Sequence, residues 1–132
     1  MKGIIAGLMM MLAFAVVPAS AAKRAETLRV QINKEKSFAK AKLTVRFVEL
    51  VEDSRCPTDT QCVWAGNAKI KIRVTMNGRS QDLTLDTNGP KQAATAIGYT
   101  IRLIGLTPEP RSNVRINRNG YVATFEAVKL TR

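Results

Sequence analysis

Cys56 and Cys62, with five residues between them, are the side chains most ready for chemistry in this sequence. They lie in the stretch Glu52-Asp53-Ser54-Arg55-Cys56-Pro57, then Thr58-Asp59-Thr60-Gln61, then Cys62-Val63-Trp64-Ala65-Gly66-Asn67. Five intervening residues do not make a Cys-x-x-Cys redox motif. Two cysteines without any histidine cannot close a four-ligand zinc or iron–sulfur site. Glu52, Asp53 and Asp59 would suit a hard cation, but Arg55 competes with it and the spacing is not that of an EF-hand. No metal and no cofactor is therefore expected.

A Cys56–Cys62 disulfide is the chemistry that fits. It would close a loop of about seven residues and contribute about 2 kcal/mol by restricting the unfolded chain. Pro57 restricts that chain further. Trp64, two residues past Cys62, is expected on the same side as the bridge, packed against it. Gly66 suits a bend or a close backbone approach. Asp53 or Ser54 can accept backbone N–H bonds where the loop begins. Three roles compete for this loop. It is a structural clasp, an inhibitor-like recognition loop, or a redox or metal site. As a recognition loop it would send Arg55 or the Thr58-Asp59-Thr60 tip into a partner's cleft, preorganised by the bridge.

Catalysis has few candidates. The 132 residues contain no histidine, which excludes a Ser-His-Asp triad and a Cys-His dyad. Beyond the first segment the serines are Ser37, Ser54, Ser80 and Ser112, and none sits in Ser-x-x-Lys or Gly-x-Ser-x-Gly. Glu52 and Asp53 are neighbours and would point to opposite faces of a strand, unlike a glycosidase pair. No catalytic residue is assigned, and the chain is not expected to be an enzyme.

The first segment reads as a leader. Met1-Lys2 precedes Ile4 to Val17, which carry no charge; Pro18 follows, and Ala19-Ser20-Ala21 fits a small-x-small cleavage site. Residues 1–21 are expected to be a signal peptide cleaved near Ala21, leaving residues 22–132 as a single secreted or periplasmic domain. The apolar run is short for a membrane span, so no stable span is expected. Export brings an oxidising compartment, which supports the Cys56–Cys62 pairing.

The cysteine segment resembles a signature of small exported bacterial proteins, some of them lipoproteins. In that group a strand ends in Asp-Ser-Arg-Cys-Pro, and a short spacer leads to Cys-Val-Trp-Ala-Gly. Here these are Asp53 to Pro57 and Cys62 to Gly66. The alternating strand that follows, and Pro108 and Pro110 later, are also similar. The resemblance implies an exported β domain and carries no activity or ligand residues. The chain departs from the lipidated members in having no cysteine after the apolar run.

Charge is unevenly spread. The net charge is +11, or +10 without residues 1–21. Residues 23–42 hold a net +5, residues 43–101 a net +1 and residues 102–132 a net +4. If first and last strands lie together, Arg29, Lys34, Lys36, Lys40, Lys42, Arg115 and Arg118 would form one basic surface. Such a surface attracts polyanions in a salt-dependent way. Anionic envelope components, or another exported protein, are the expected partners. Nucleic acid is not expected, because the aromatic residues are scattered and no binding motif is present. Outward lysines and arginines also protect strand edges from aggregation.

The elements that must hold these residues are strands. Leu28, Val30 and Ile32 alternate with polar residues, as do Ala41, Leu43, Val45 and Phe47. The phase slips at Val48, where a bulge or strand end is expected. Ala68, Ile70, Ile72, Val74 and Met76 form the cleanest strand, followed by Asn77-Gly78, the signature of a type I′ turn. A two-residue loop there sets Ile72 opposite Leu83, Ile70 opposite Leu85, Arg73 opposite Asp82 and Lys69 opposite Asp86. Lys91 to Ala96 read as a loop or one helical turn. Tyr99, Ile101 and Leu103 alternate again. Asn119-Gly120 predicts a second hairpin, pairing Ile116 with Ala123 and Val114 with Phe125, and a last strand runs through Val128 and Leu130. Seven or eight short strands and no convincing helix predict an all-β antiparallel sandwich, immunoglobulin-like or similar. The function expected is an exported, non-enzymatic envelope binding or accessory module. A protein-recognition module acting through the cysteine loop, or a purely structural secreted domain, are the alternatives.

Overall fold

The structure, a computed structural model, describes residues 25–130; the expected leader over residues 1–21 lies outside them. Eight antiparallel strands form two four-stranded sheets. Strand β4 (Ala68–Met76) is the centre of one of them, because its alternation buries Ala68, Ile70, Ile72 and Val74 completely. Asn77 and Gly78 both take left-handed backbone angles, φ 49° and 78°, and turn the chain into β5 (Arg79–Asp86). The register is the expected one, with Ile72 opposite Leu83, Ile70 opposite Leu85 and Arg73 opposite Asp82. Arg73 Nε donates to Asp82 Oδ1 at 2.7 Å, so charge fixes the outer face while burial fixes the inner one.

On its other side β4 pairs with β3 (Thr44–Asp53). The register of β3 shifts between Phe47 and Glu49, as the phase slip predicts, and again between Leu50 and Glu52. Short β2 (Glu35–Ser37) covers only the start of β3. The second sheet has the order β1 (Glu26–Gln31), β8 (Val122–Lys129), β7 (Tyr99–Thr107), β6 (Ala93–Ala96). Each sheet is a meander, to which β1 is added beside β8. Edge strand β1 lies against β2, and β5 against β6. Strands therefore follow one another around the perimeter, without the crossed connections of an immunoglobulin Greek key. Between the sheets, Phe47, Ile70, Leu85, Ile101, Leu103 and Phe125 are at most 1% exposed.

Two sequence expectations need correction. The stretch Lys91 to Ala96 is not only a turn: a 3₁₀ turn over Pro90–Gln92 leads into β6, which pairs with β7. Small alanines give little strand signal, and pairing with β7 decides the conformation. The second hairpin does not form. Arg118–Gly120 is a 3₁₀ turn capped by Asn117, whose Oδ1 accepts from Asn119 N at 3.0 Å. Ala123 lies opposite Val30 and Leu106, and Phe125 opposite Leu28 and Leu103. Both edges of β8 are thus taken by β1 and β7. Val114 is left 60% exposed on the long irregular loop that joins β7 to β8. Long-range pairing overrode the local turn code.

Candidate functional site

The site begins where β3 ends. Ser54 N and Ser54 Oγ both donate to Asn67 O, each at 2.7 Å, and so tie the two ends of the cysteine loop together. Gly66 lies against the backbone of Ser54, Arg55 and Cys56, with no room for a side chain. Cys56 and Cys62 are bonded, their Cα atoms 6.0 Å apart.

Arg55 turns into the fold. Its Nε donates to Asp53 Oδ1 and its Nη2 to Asp53 Oδ2, each at 2.8 Å. Its Nη1 donates to Leu106 O at 2.7 Å and its Nη2 to Pro108 O at 2.9 Å. Past Arg102 strand β7 has, among the described residues, no strand partner on its β6 side, so the guanidinium satisfies carbonyls that a strand would otherwise bind. Tyr121, which leads into β8, donates its hydroxyl to Asp53 Oδ2 at 3.0 Å. One arginine–carboxylate pair thereby joins the end of one sheet to two strands of the other. Both of its side chains are only 12% exposed.

The electrostatics follow from this geometry. Burial pushes the Asp53 carboxyl up, but the Arg55 hydrogen bonds and charge outweigh it, with help from the Tyr121 hydroxyl. The result is a carboxyl held below its usual range. Burial, and then the Asp53 carboxylate, push the Tyr121 phenol up. A depressed carboxyl stabilises the fold above its unfolded value, about pH 4, and that contribution disappears as pH falls through the folded value. A raised phenol stabilises the fold until pH climbs past about 10. The urea midpoint is therefore expected to fall between pH 7 and pH 3, with a smaller fall in Asp53→Asn. An equal fall in the two proteins would show that Asp53 does not couple acid to stability.

The loop tip is strapped to the segment after β7. Thr58 N donates to Pro110 O at 2.9 Å. Asp59 Oδ1 accepts from Ser112 N and Ser112 Oγ, both at 2.9 Å, and these bonds lower the Asp59 carboxyl. The Thr60 and Ser112 hydroxyls are 2.9 Å apart.

The sequence candidates therefore separate. Asp53 caps the loop start as expected, accepting from Arg55 N at 3.3 Å. Arg55 is not presented to a partner, because four hydrogen bonds hold its guanidinium inside. Thr58 and Asp59 are exposed but tied to Pro110 and Ser112. Trp64 is 73% exposed rather than packed on the bridge, beside Val63 at 95%. Arg29, Lys34, Lys36, Lys40 and Lys42 are exposed on β1, β2 and the turns that flank β2. Arg115 and Arg118 are exposed on the loop between β7 and β8, where Gln31 Nε2 donates to Asn119 O at 3.0 Å. None of these seven joins an ion pair among the described residues.

The sequence reading missed Tyr121 and Ser112. Tyr121 continues the inward alternation of Ala123 and Phe125, and a buried phenol needs a hydrogen-bond partner, so a signal existed. Ser112 had none, because its role depends on where the β7–β8 loop docks. No group of three or more metal-ligating side chains occurs among the described residues, and no described helix is long and apolar enough to cross a membrane. Comparison with protein-family models, curated proteins and solved structures finds no match.

Proposed function

We propose that the protein is an exported, non-enzymatic envelope module that binds anionic envelope polymers through its basic edge. One observation carries this reading. Five exposed cations, Arg29 on β1, Lys36 on β2 and Lys34, Lys40 and Lys42 in the turns that flank β2, follow one another where these two edge strands adjoin. Only Glu26 and Glu35 oppose them in that stretch. Glu26 is turned onto its own chain, accepting from Ala39 N at 2.7 Å and from Lys40 N. The disulfide fits an oxidising compartment, where phosphate-rich lipopolysaccharide and acidic polymers are the available polyanions.

Purified lipopolysaccharide is the probe. Exposed charges act over about 10 Å at 0.1 M salt and about 3 Å at 1 M. Retention is expected to drop at least about tenfold across that range, and to drop similarly at low salt in Lys36→Glu/Lys40→Glu/Lys42→Glu. Retention indifferent to salt, or to the triple reversal, would remove the proposal.

A second reading, recognition of another exported protein by the cysteine loop, is favoured by the exposure of Val63 and Trp64. It requires Trp64→Ala to lose partner capture without lowering the melting temperature.

A further inference from the structure

Strand β3 is covered on only part of its length. β2 pairs with Thr44, Val45 and Arg46. The last bonds on that side are Asn33 N to Phe47 O, 2.8 Å, and Phe47 N to Lys34 O, 3.1 Å. From Val48 to Asp53 the strand has β4 on one side and, among the described residues, no backbone partner on the other. The corresponding edge of β7 is treated differently. There Gln92 Nε2 donates to Leu103 O at 3.0 Å, and Arg55 serves Leu106 O and Pro108 O. Among the described residues, one open edge is capped by side chains and the other is uncapped.

Beside the uncapped edge lies an open depression of about 350 Å³, between β3 and the loop that joins β7 to β8. Its lining is mixed: Leu50, Val51, Pro110, Val114, Ile116 and Tyr121 supply apolar surface, and Glu52, Asp53 and Arg118 supply charge. Val51 and Val114 are 49% and 60% exposed. Side chains along the edge differ in kind. Leu50 stands opposite buried Ile70, whereas Glu49 and Glu52 stand opposite Lys71 and Lys69 and are exposed, Glu52 at the rim of the depression.

We propose that residues 48–53 accept an extended peptide as an added strand, its alternate apolar side chains entering the depression and its intervening basic ones lying beside Glu49 and Glu52. Unpaired strand N–H and C=O groups are satisfied best by another extended backbone, and pockets for every second side chain give selectivity. A second copy of this chain is a poor occupant. Val-Glu-Leu-Val-Glu-Asp paired antiparallel with itself about its centre sets Glu49 opposite Glu52 twice, and like charges directly opposite repel. The two bulges bend the edge away from a flat template. The acidic run thus disfavours self-pairing and favours a partner rich in Lys or Arg.

The test uses the full exported chain and a synthetic peptide of about seven residues alternating valine and lysine, at about 0.15 M salt to screen the overall positive charge. Amide exchange is expected to slow at residues 48–53. Methylating alternate peptide amides should weaken binding at least about tenfold by removing main-chain donors. Replacing lysine by glutamate should weaken it similarly, and Glu49→Lys/Glu52→Lys should reverse that preference while melting like the parent. Equal affinity for the N-methylated peptide, protection located elsewhere, no binding at millimolar peptide, or dimerisation through this edge without peptide would each overturn the proposal. The basic edge on β1 and β2 is separate, so loss of lipopolysaccharide binding and loss of peptide binding report on different sites.

Discussion

Gly66→Ala is expected to destabilise the protein by at least about 3 kcal/mol, more than most single substitutions. A methyl group there would overlap the Ser54 carbonyl oxygen and the Arg55 Cα, and would sit 2.5 Å from the Cys56 amide nitrogen. All three are backbone atoms, and the disulfide, together with the Ser54–Asn67 hydrogen bonds, stops them moving apart. The cause is space rather than conformation, since Gly66 is not among the glycines with positive φ. Two other glycines calibrate the effect. Gly120→Ala meets only the Asn117 Cβ, at 3.8 Å, and should be nearly silent. Gly78→Ala has open space but φ 78°, so it should cost about 1 kcal/mol through backbone strain alone. Urea denaturation of the three variants checks the order. A Gly66→Ala protein as stable as Gly120→Ala would mean that the loop ends are not locked together.

Arg55→Ala should cost about 3 kcal/mol. Removing the guanidinium leaves the largely buried Asp53 carboxylate without its counterion and two carbonyls, of Leu106 and Pro108, without donors. An exposed ion pair would lose only about 0.2–1 kcal/mol. Arg55→Lys keeps the charge but cannot reproduce the planar fork to Asp53 together with both carbonyl bonds, and should fall between. A double-mutant cycle with Asp53→Asn isolates the pair, because Tyr121 remains to hydrogen-bond the amide. A loss below about 0.5 kcal/mol for Arg55→Ala would reduce the network to an ordinary surface pair.

Together these expectations assign the cysteine loop a mechanical role. The loop closes the end of the sandwich, joins both sheets through Asp53, Arg55 and Tyr121, and holds the segment from Pro108 to Ser112. What it leaves free is Val63 and Trp64. These two residues carry the second reading, while the polyanion and peptide surfaces lie elsewhere, on the basic edge of β1 and β2 and on the open edge of β3.

Residue patterns were enough for much of the frame. Alternation set β4 and its inward face, Asn77-Gly78 set the β4–β5 register, and the phase slip at Val48 marked a bulge. These features depend on residues a few positions apart, and side chains alternating across a strand encode them directly. The spacing of Cys56 and Cys62 likewise implied one short bridge. The failures have a common cause. Asn119-Gly120 carries the same turn code as Asn77-Gly78, yet β8 found its partners in β1 and β7, far away in sequence. Arg55 has the composition of an exposed loop arginine. Its inward course follows from where β7 leaves carbonyls unpaired, and only the packing of two sheets fixes that. The open edge of β3 exists because β2 is three residues long. Local sequence determined which segments are strands and which faces are apolar, because those depend on period. Tertiary structure decided which polar groups meet and which edge stays open, because hydrogen-bond partners brought together from distant segments leave no period in the chain.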